Sequence, residues 1–582
     1  MDDLEAAARH WGIEPEYYDV FGRRHAAGRE TLARLIAAIS AGRAQPIPFE
    51  VPAPQRAYQG DGRRLWAIAV QLYAVRSQRN WGHGDFTDLA RLLRIAGAQG
   101  AAAIGLNPLH ALFPDRADEA SPYAPNSRLF LNPLYIDVEA VPEFPGTVQA
   151  GIADEIAVLR GHQLIDYANV ARLKLKALGL AYLAFRAGAS AERRADFHAY
   201  RHEQGETLLR FACFEVLRAQ HARRPWPEWP QPWRSPRSED LMAFRQAHEE
   251  DCEFQEFMQW LADRQLGACC NVARSEGTPI GLYMDIAVGS HPHGAEAWAQ
   301  QDVMLAGVSA GAPPDEFNPG GQEWGVVPFN PQTMAADDFR AMRRLLRATM
   351  RHAGALRIDH VLGLKRLFMI PLGSNGGTYV RFPFEALLRV IAEESHHHRC
   401  IVIGEDLGTV PEGFHTEMAR WGLWGCRVAL FEREPGGGFR APDCYPAEAL
   451  ASFNTHDLPS FRGWLEGYDL RVKGAIGVDA GESPEARAHS QAMLREALTR
   501  WAPNYPPDDV AAMAAFLAVT PCRLVAIALD DILGMRDQVN VPATTTQHPN
   551  WQQRLPVPLE RLDTQESLMR VAQALAQRNF RA

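Results

Sequence analysis

The chain has 582 residues, 47% hydrophobic and 22% charged, which is material for a large buried core with additions rather than for a disordered or disulfide-stapled small protein. Asp and Glu outnumber Lys and Arg by 70 to 60, a formal charge of −10, so there is no basic footprint for nucleic acid or an anionic membrane and a neutral, soluble partner is expected. The start MDDLEAAARHWG lacks the positive-then-apolar order of a secretory signal, and the eight cysteines show no CxxC or framework spacing, which predicts reduced thiols in the cytoplasm.

Residues 1–45 predict a short N-terminal region of two or three helices, with Thr31, Leu32, Leu35 and Ile36 as an apolar stripe. The stretch 46–62, opening PIPFEVPAPQ, cannot continue a helix and is expected to be a linker. From 63 to 582 short apolar runs alternate with helical periodicity: LWAIAVQLY (65–73), AAAIGLNPLH (101–110), PIGLYMDIAV (279–288), ALRIDHV (355–361), CIVIGEDL (400–407), RVALFE (427–432), ASFNTHD (451–457) and LVAIALDDIL (524–533). Eight such runs predict an α/β fold, a (β/α)8 TIM barrel whose C-terminal strand ends build the active site. The gap after the second run is too long for one crossover, and residues 150–275 are expected to form an inserted, mainly helical subdomain. Within it PWPEWPQPW (225–233) predicts a rigid loop pinned by tryptophans. The apolar passage from Ala511 to Leu529 is interrupted by Pro521 and Arg523, so a buried helix-to-strand connection is expected and no membrane span.

Three acids stand at three strand ends: Asp359 in LRIDH, Glu405 in VIGEDLG and Asp457 in NTHDLP. A single acid there is more often a helix cap or an arginine partner. Three on one rim supply what retaining cleavage of a glycosidic bond needs, an ionised carboxylate to attack and a protonated carboxyl to donate, roughly 5–5.5 Å apart. Arg357, two residues before Asp359, shares its face of the strand and sets a positive charge beside it. HHH at 396–398 and HPH at 291–293 lack the spacing of a metal site, and no GxGxxG follows a strand, so neither a metal nor a cofactor is expected.

These segments are similar to those of the amylomaltases, the 4-α-glucanotransferases or disproportionating enzymes of glycoside hydrolase family 77, relatives of the α-amylases. The resemblance rests on GALRIDHVLGLKRLFMIP, CIVIGEDLGTVP and ASFNTHDLPS, and on QLYAVRS, NWGHGDFTDL, LNPLHAL, SPYAPNSRLFLNPLYIDV, GAPPDEF, GQEWGVVP and VNVPATTTQHPNW, in the family's order across nearly all of 65–551. It implies transfer of α-1,4-glucan segments between maltooligosaccharides, with Asp359 as nucleophile, Glu405 as acid/base and Asp457 gripping sugar hydroxyls in the transition state. It further implies Tyr123 as an aromatic platform, Asp315, Gln322 and Trp324 in a loop over the site, and Arg357, His360 and His456 as substrate-binding residues, in a monomer or homodimer. Asp285, ending LYMDIAV, is expected in a supporting role. The same acids serve α-glucan hydrolases, and a glucan-binding protein on an inactive barrel is a third possibility. Transfer is favoured by the GAPPDEF and GQEWG loop, and an enzyme by all three acids being present. One departure from the pattern is Ala543, where a glycine is expected after the proline, and a slight consequence is anticipated because the residue is still small.

Overall fold

The computed structural model describes residues 2–19, 22–49, 51–314, 321–374 and 376–580. Its centre is one sheet of eight strands: β1 Leu65–Val70, β2 Ala103–Leu106, β3 Gly281–Ile286, β4 Ala355–Ile358, β5 Ile401–Gly404, β6 Gly425–Val428, β7 Ala449–Ser452 and β8 Leu524–Ala528. The strands are parallel, and β8 returns to β1 with Val525 opposite Trp66. Between β5 and β6 the seam is shut by the Gly404 N–H to the Trp424 carbonyl at 2.8 Å and the Trp424 N–H to the Val402 carbonyl at 2.9 Å. The sheet is therefore a closed barrel, the TIM-barrel α/β fold expected from eight apolar runs.

Closure explains the composition. A strand covered by helices outside and by its neighbours' side chains inside has no wet face, so it is apolar throughout rather than alternating. All four residues of β5, Ile401 to Gly404, are buried. Small and large interior residues alternate, with Ala67, Ala355 and Ala526 beside Tyr283, Ile403 and Leu450. Gly105 is needed for this packing, because a Cβ there would lie 2.7 Å from Cδ1 of Tyr283. β6 and β7 start two residues before the runs that announced them, at Gly425 and Ala449 rather than at 427 and 451. The later parts of both runs leave the sheet as rim turns, still joined by the Ala429 N–H to the Ser452 carbonyl at 2.8 Å.

Helices from Gly146 to Ser275 fill the long gap after β2. The last, Glu249–Ser275, packs on the helix Phe86–Ala98 and leads into β3, so it serves as the crossover that a parallel pair requires. The apolar passage at 511–529 resolves into the helix Val510–Ala518 and β8, and among the described residues no helix is long and apolar enough to cross a membrane.

The N-terminal region holds the helices Asp2–His10 and Arg29–Ser40, and also a hairpin, Glu16–Tyr18 with Arg24–Ala26, that helical periodicity did not predict. Three-residue strands are too short to register as a period. Their support is tertiary, with Tyr17 packed edge-on against Phe368 at 5.3 Å and Tyr379 at 5.7 Å. The region covers a four-stranded sheet beside the barrel, where Leu32, Leu35 and Ile39 pack with Val308, Ala310, Met369 and Val380.

Candidate active site

β4 and β5 are in register, with Ile358 opposite Gly404, so Asp359 and Glu405 are the next residue on each strand. Neighbouring strands are about 4.8 Å apart, which sets the spacing of the two residues. The ladder continues past the strands: Glu405 N–H donates to the Ile358 carbonyl at 3.0 Å and Val361 N–H to the Glu405 carbonyl at 2.9 Å. His360 turns the chain in a left-handed conformation, φ 44° and ψ 58°, which leaves Asp359 at the rim. Glu405 is held by two backbone donors, His360 N–H to Oε2 and Leu407 N–H to Oε1, both at 2.9 Å.

Arg357 stands opposite Asp285 across β3 and β4. Its Nη1 donates to both Asp285 oxygens at 2.9 and 2.8 Å, and its Nη2 lies 2.9 Å from Oδ1 of Asp359. The guanidinium is thus shared between a buried acid and the rim acid. Tyr123 comes from the segment after β2; its hydroxyl donates to Oδ2 of Asp285 at 2.6 Å and lies 3.0 Å from Nδ1 of His456. The Tyr123 and His456 rings stack at 4.4 Å, with Trp551 at 5.5 Å from Tyr123. Asp457, beyond β7, accepts from Nδ2 of Asn540 at 2.6 Å and lies 3.3 Å from Nε2 of His456.

A cleft of about 1060 Å³ brings Gln322, Trp324, Arg357, Asp359, His360, Glu405, His456 and Asp457 together. Tyr123 lines a contiguous cavity deeper in the barrel mouth, shared with Arg357, Glu405 and His456. Trp324 meets His360 edge-on at 4.9 Å, and its Nε1 donates to Oε1 of Gln322 at 3.2 Å. Asp315 lies outside the described residues.

Burial pushes the Glu405 carboxyl up to about 7; Arg357 opposes the shift and the charge on Asp359 adds to it. A carboxyl in that range is protonated in a useful fraction near neutral pH. Burial also pushes His360 down to about 4, so it is a neutral hydrogen-bonding group there. Desolvation works against charge on both His456 and Asp457, but each favours the other's ion, so His456 rises and Asp457 falls from its ordinary value.

Two residues of the site carried no assignment in the sequence. Asp406 follows Glu405 and points the other way, as successive residues of an extended strand do. It accepts from Cys426 N–H at 2.7 Å and from Arg427 at 2.9 Å, with His415 at 3.0 Å, and so ties β5 to β6 in the wall of the cleft. Asn540 lies in VNVPATTTQ, 83 residues beyond the Asp457 it holds. A polar residue in a loop motif was the available signal, but it names no partner.

The chain as a whole has counterparts among known proteins. A family model described as 4-alpha-glucanotransferase matches residues 70–560. The chain belongs to that family. It is 40% identical over 537 residues to the 4-alpha-glucanotransferase of Mycobacterium tuberculosis (strain ATCC 25618 / H37Rv), covering 87% of this chain and 73% of that protein. The 4-alpha-glucanotransferase of Haemophilus influenzae is 35% identical over 554 residues, covering 88% of this chain and 79% of that one. Among solved structures, amylomaltase from Corynebacterium glutamicum superposes with a TM-score of 0.85 at 28% identity, covering 98% of this chain and 99% of that chain. Amylomaltase from Streptococcus agalactiae, solved in complex with acarbose, shares the fold with a TM-score of 0.74 at 19% identity, covering 89% and 99%. This 4-α-glucanotransferase is therefore an enzyme of the amylomaltase type, and the cleft at the C-terminal ends of its barrel strands is its candidate active site.

Proposed function

We propose that the chain transfers α-1,4-glucan segments between maltooligosaccharides by two successive displacements with net retention. Asp359 attacks the anomeric carbon while Glu405 gives its proton to the departing glycosidic oxygen, leaving a glycosyl ester on Asp359 and a shortened glucan with a free 4-hydroxyl. Glu405, now a carboxylate, takes the proton from an acceptor hydroxyl as that oxygen attacks the ester carbon, forming the new bond and freeing Asp359. The observation that carries this reading is the pair of acids one residue past the in-register Ile358 and Gly404, with Glu405 pushed up to about 7. Strand spacing matches the roughly 5–5.5 Å separation of retaining rather than inverting enzymes.

The remaining roles follow from contacts. Arg357 orders Asp359 through the 2.9 Å ion pair. Asp457, with His456 and Asn540 around it, binds sugar hydroxyls and tightens as the ring distorts. Tyr123 offers its ring as a platform, and Gln322 and Trp324, with Asp315 of the same loop, receive the acceptor. His360, neutral near pH 7, donates or accepts at a hydroxyl. The cytoplasm, where maltodextrins and reduced thiols coexist, suits a chain whose eight cysteines are unpaired.

Maltotriose incubated with the enzyme distinguishes the outcomes. Glucose together with longer oligosaccharides means transfer, glucose and maltose alone mean hydrolysis, and unchanged sugar means binding only. For the covalent step, Glu405→Gln treated with an α-glucosyl fluoride is expected to accumulate an adduct that peptide mass spectrometry finds on Asp359. An adduct on another carboxylate reassigns the nucleophile.

A further inference from the structure

The N-terminal region reaches the catalytic cleft through one side chain, Arg366. The strands Arg366–Pro371 and Thr378–Arg381 are neighbours in the four-stranded sheet beside the barrel, and the second of them is its edge. The chain just before the N-terminal hairpin runs along that edge: Glu14 N–H donates to the Tyr379 carbonyl and Arg381 N–H to the Gly12 carbonyl, both at 2.8 Å, with Ile13 bridged to Val380. This row places the Glu14 side chain beside two arginines.

Arg366 and Arg381 stand directly opposite each other on the two strands, and like charges so placed repel. The Glu14 carboxylate answers both, accepting from Nη1 of Arg366 at 3.2 Å and from Nε of Arg381 at 3.1 Å. The Arg366 guanidinium also lies over the Tyr379 ring, 4.0 Å from its centre. That ring is wedged edge-on by Tyr17 at 5.7 Å and by Phe368 at 5.4 Å. Two residues of the N-terminal region therefore fix one guanidinium, Glu14 directly and Tyr17 through Tyr379.

Arg366, Phe368 and Tyr379 line the cleft that holds Asp359 and Glu405, and none of them lines the deeper cavity behind the two acids. They belong to its outer wall. That wall is continuous with the loop proposed above to receive the acceptor: the strand Val308–Ala312 pairs on one side with Arg366–Pro371, Phe368 opposite Gly311, and on the other with Gln322–Glu323, Ala312 opposite Gln322. The Arg366 side chain is 22% exposed, and among the described residues its only hydrogen bond is the one to Glu14. Its Nε and Nη2 thus have no acceptor in the protein, and neither is sealed from solvent.

A neutral residue at 366 would avoid the repulsion from Arg381, so the guanidinium is explained by what its open edge does in the cleft. Its plane is set by the ring beneath it and its charge is offset by Glu14, which leaves donors ready for neutral oxygen acceptors such as sugar hydroxyls. We propose that Arg366 is an acceptor-specificity residue, binding hydroxyls of the acceptor glucan beyond the glucose unit being joined, and that Glu14 and Tyr17 are its positioning residues. The N-terminal region thereby completes the acceptor side of the cleft. The choice of glucan rests on the substrate reading given above.

Transfer from an α-maltosyl fluoride lacking its terminal 4-hydroxyl, which cannot itself accept, to either maltotetraose or glucose tests this. The ratio of acceptor kcat/KM, maltotetraose over glucose, should fall about tenfold in Arg366→Leu, the order expected on losing hydrogen bonds from a charged donor, and the fall should lie in KM for maltotetraose. Arg366→Lys keeps a positive charge facing Glu14 but not the planar fork, so it guards against a folding defect and should lower the ratio about threefold. Glu14→Gln should lower it about threefold as well, and adding Glu14→Gln to Arg366→Leu should lower it no further, because Glu14 acts through Arg366. An unchanged ratio in both Arg366 variants, or a loss confined to kcat and equal for the two acceptors, overturns the acceptor role. Additive losses in the double variant overturn the positioning role of Glu14. Equilibrium dialysis of maltotetraose against Glu405→Gln, with and without Arg366→Leu, should show about tenfold weaker binding in the double variant, and equal affinity overturns the contact. That measurement decides even if the unaltered enzyme fails to disproportionate maltotriose, a failure that would refute the substrate reading instead.

Discussion

The backbone N–H of His360 donates to Oε2 of Glu405 at 2.9 Å, so the residue following Asp359 is fastened to the carboxyl beside it. The two acids cannot drift apart without breaking this bond, and the proton on Glu405 is held chiefly by burial, with the carboxylate one strand away adding to the effect. Its position near 7 has a direct kinetic consequence. Forming the glycosyl ester needs Glu405 protonated, and that fraction falls as pH rises through about 7. The kcat/KM for maltotriose should therefore show an alkaline limb with a midpoint near 7, dropping about tenfold per unit beyond it. In Glu405→Gln the limb should vanish and the rate should fall by a factor on the order of 10²–10⁴. A wild-type profile flat to pH 9 would remove Glu405 from the acid role.

Tyr123 contributes a ring and a hydroxyl, and the two are separable. Tyr123→Phe keeps the 4.4 Å stack with His456 but deletes the donor to Asp285, leaving a buried acid one hydrogen bond short. Such a loss corresponds to about tenfold in kcat/KM. Tyr123→Ala removes the platform as well and should cost at least tenfold more. Equal activity of the Phe and Ala variants would mean that the ring does not support the sugar.

Trp324 lies beside His360 and lines the cleft, in the loop proposed to receive the acceptor. If it excludes water as well as binding sugar, Trp324→Ala should raise free glucose formed per transfer event several-fold while total bond cleavage falls less. A time course of glucose release against chain-length redistribution measures both. Proportional loss of the two would show that the ring binds substrate without selecting the acceptor.

Ala543 occupies the position where the family pattern has glycine, and its φ is 62°. Left-handed backbone costs a residue with a Cβ about 1–2 kcal/mol, partly offset because glycine loses more entropy on folding. Ala543→Gly should thus match the parent or exceed it by up to about 1 kcal/mol in urea unfolding, and Ala543→Val should lose about 1–2 kcal/mol, since a β-branched side chain suffers most there. Destabilisation by glycine would show that the alanine methyl makes contacts worth more than the strain.

Much of this enzyme was legible in its residues because the physical constraint acts locally. A barrel strand dry on both faces must be an apolar run, and an acid at its end must emerge at the rim; hence β4 with Asp359 and β5 with Glu405 could be read in order along the chain. The inserted helices likewise announced themselves by their 3.6-residue period. What sequence could not decide is everything set by neighbours distant in the chain. Arg357 was read as the companion of Asp359, but its division between Asp359 and Asp285 follows from the β3–β4 register. The Tyr123 hydroxyl meets an acid 162 residues away only because β2 and β3 pair side by side. The hairpin at Glu16–Tyr18 exists because Phe368 and Tyr379 pack against it. The proton on Glu405 belongs to the same class: the residue type fixes an acid, and burial beside a second carboxylate, a property of the assembled barrel alone, fixes where it titrates.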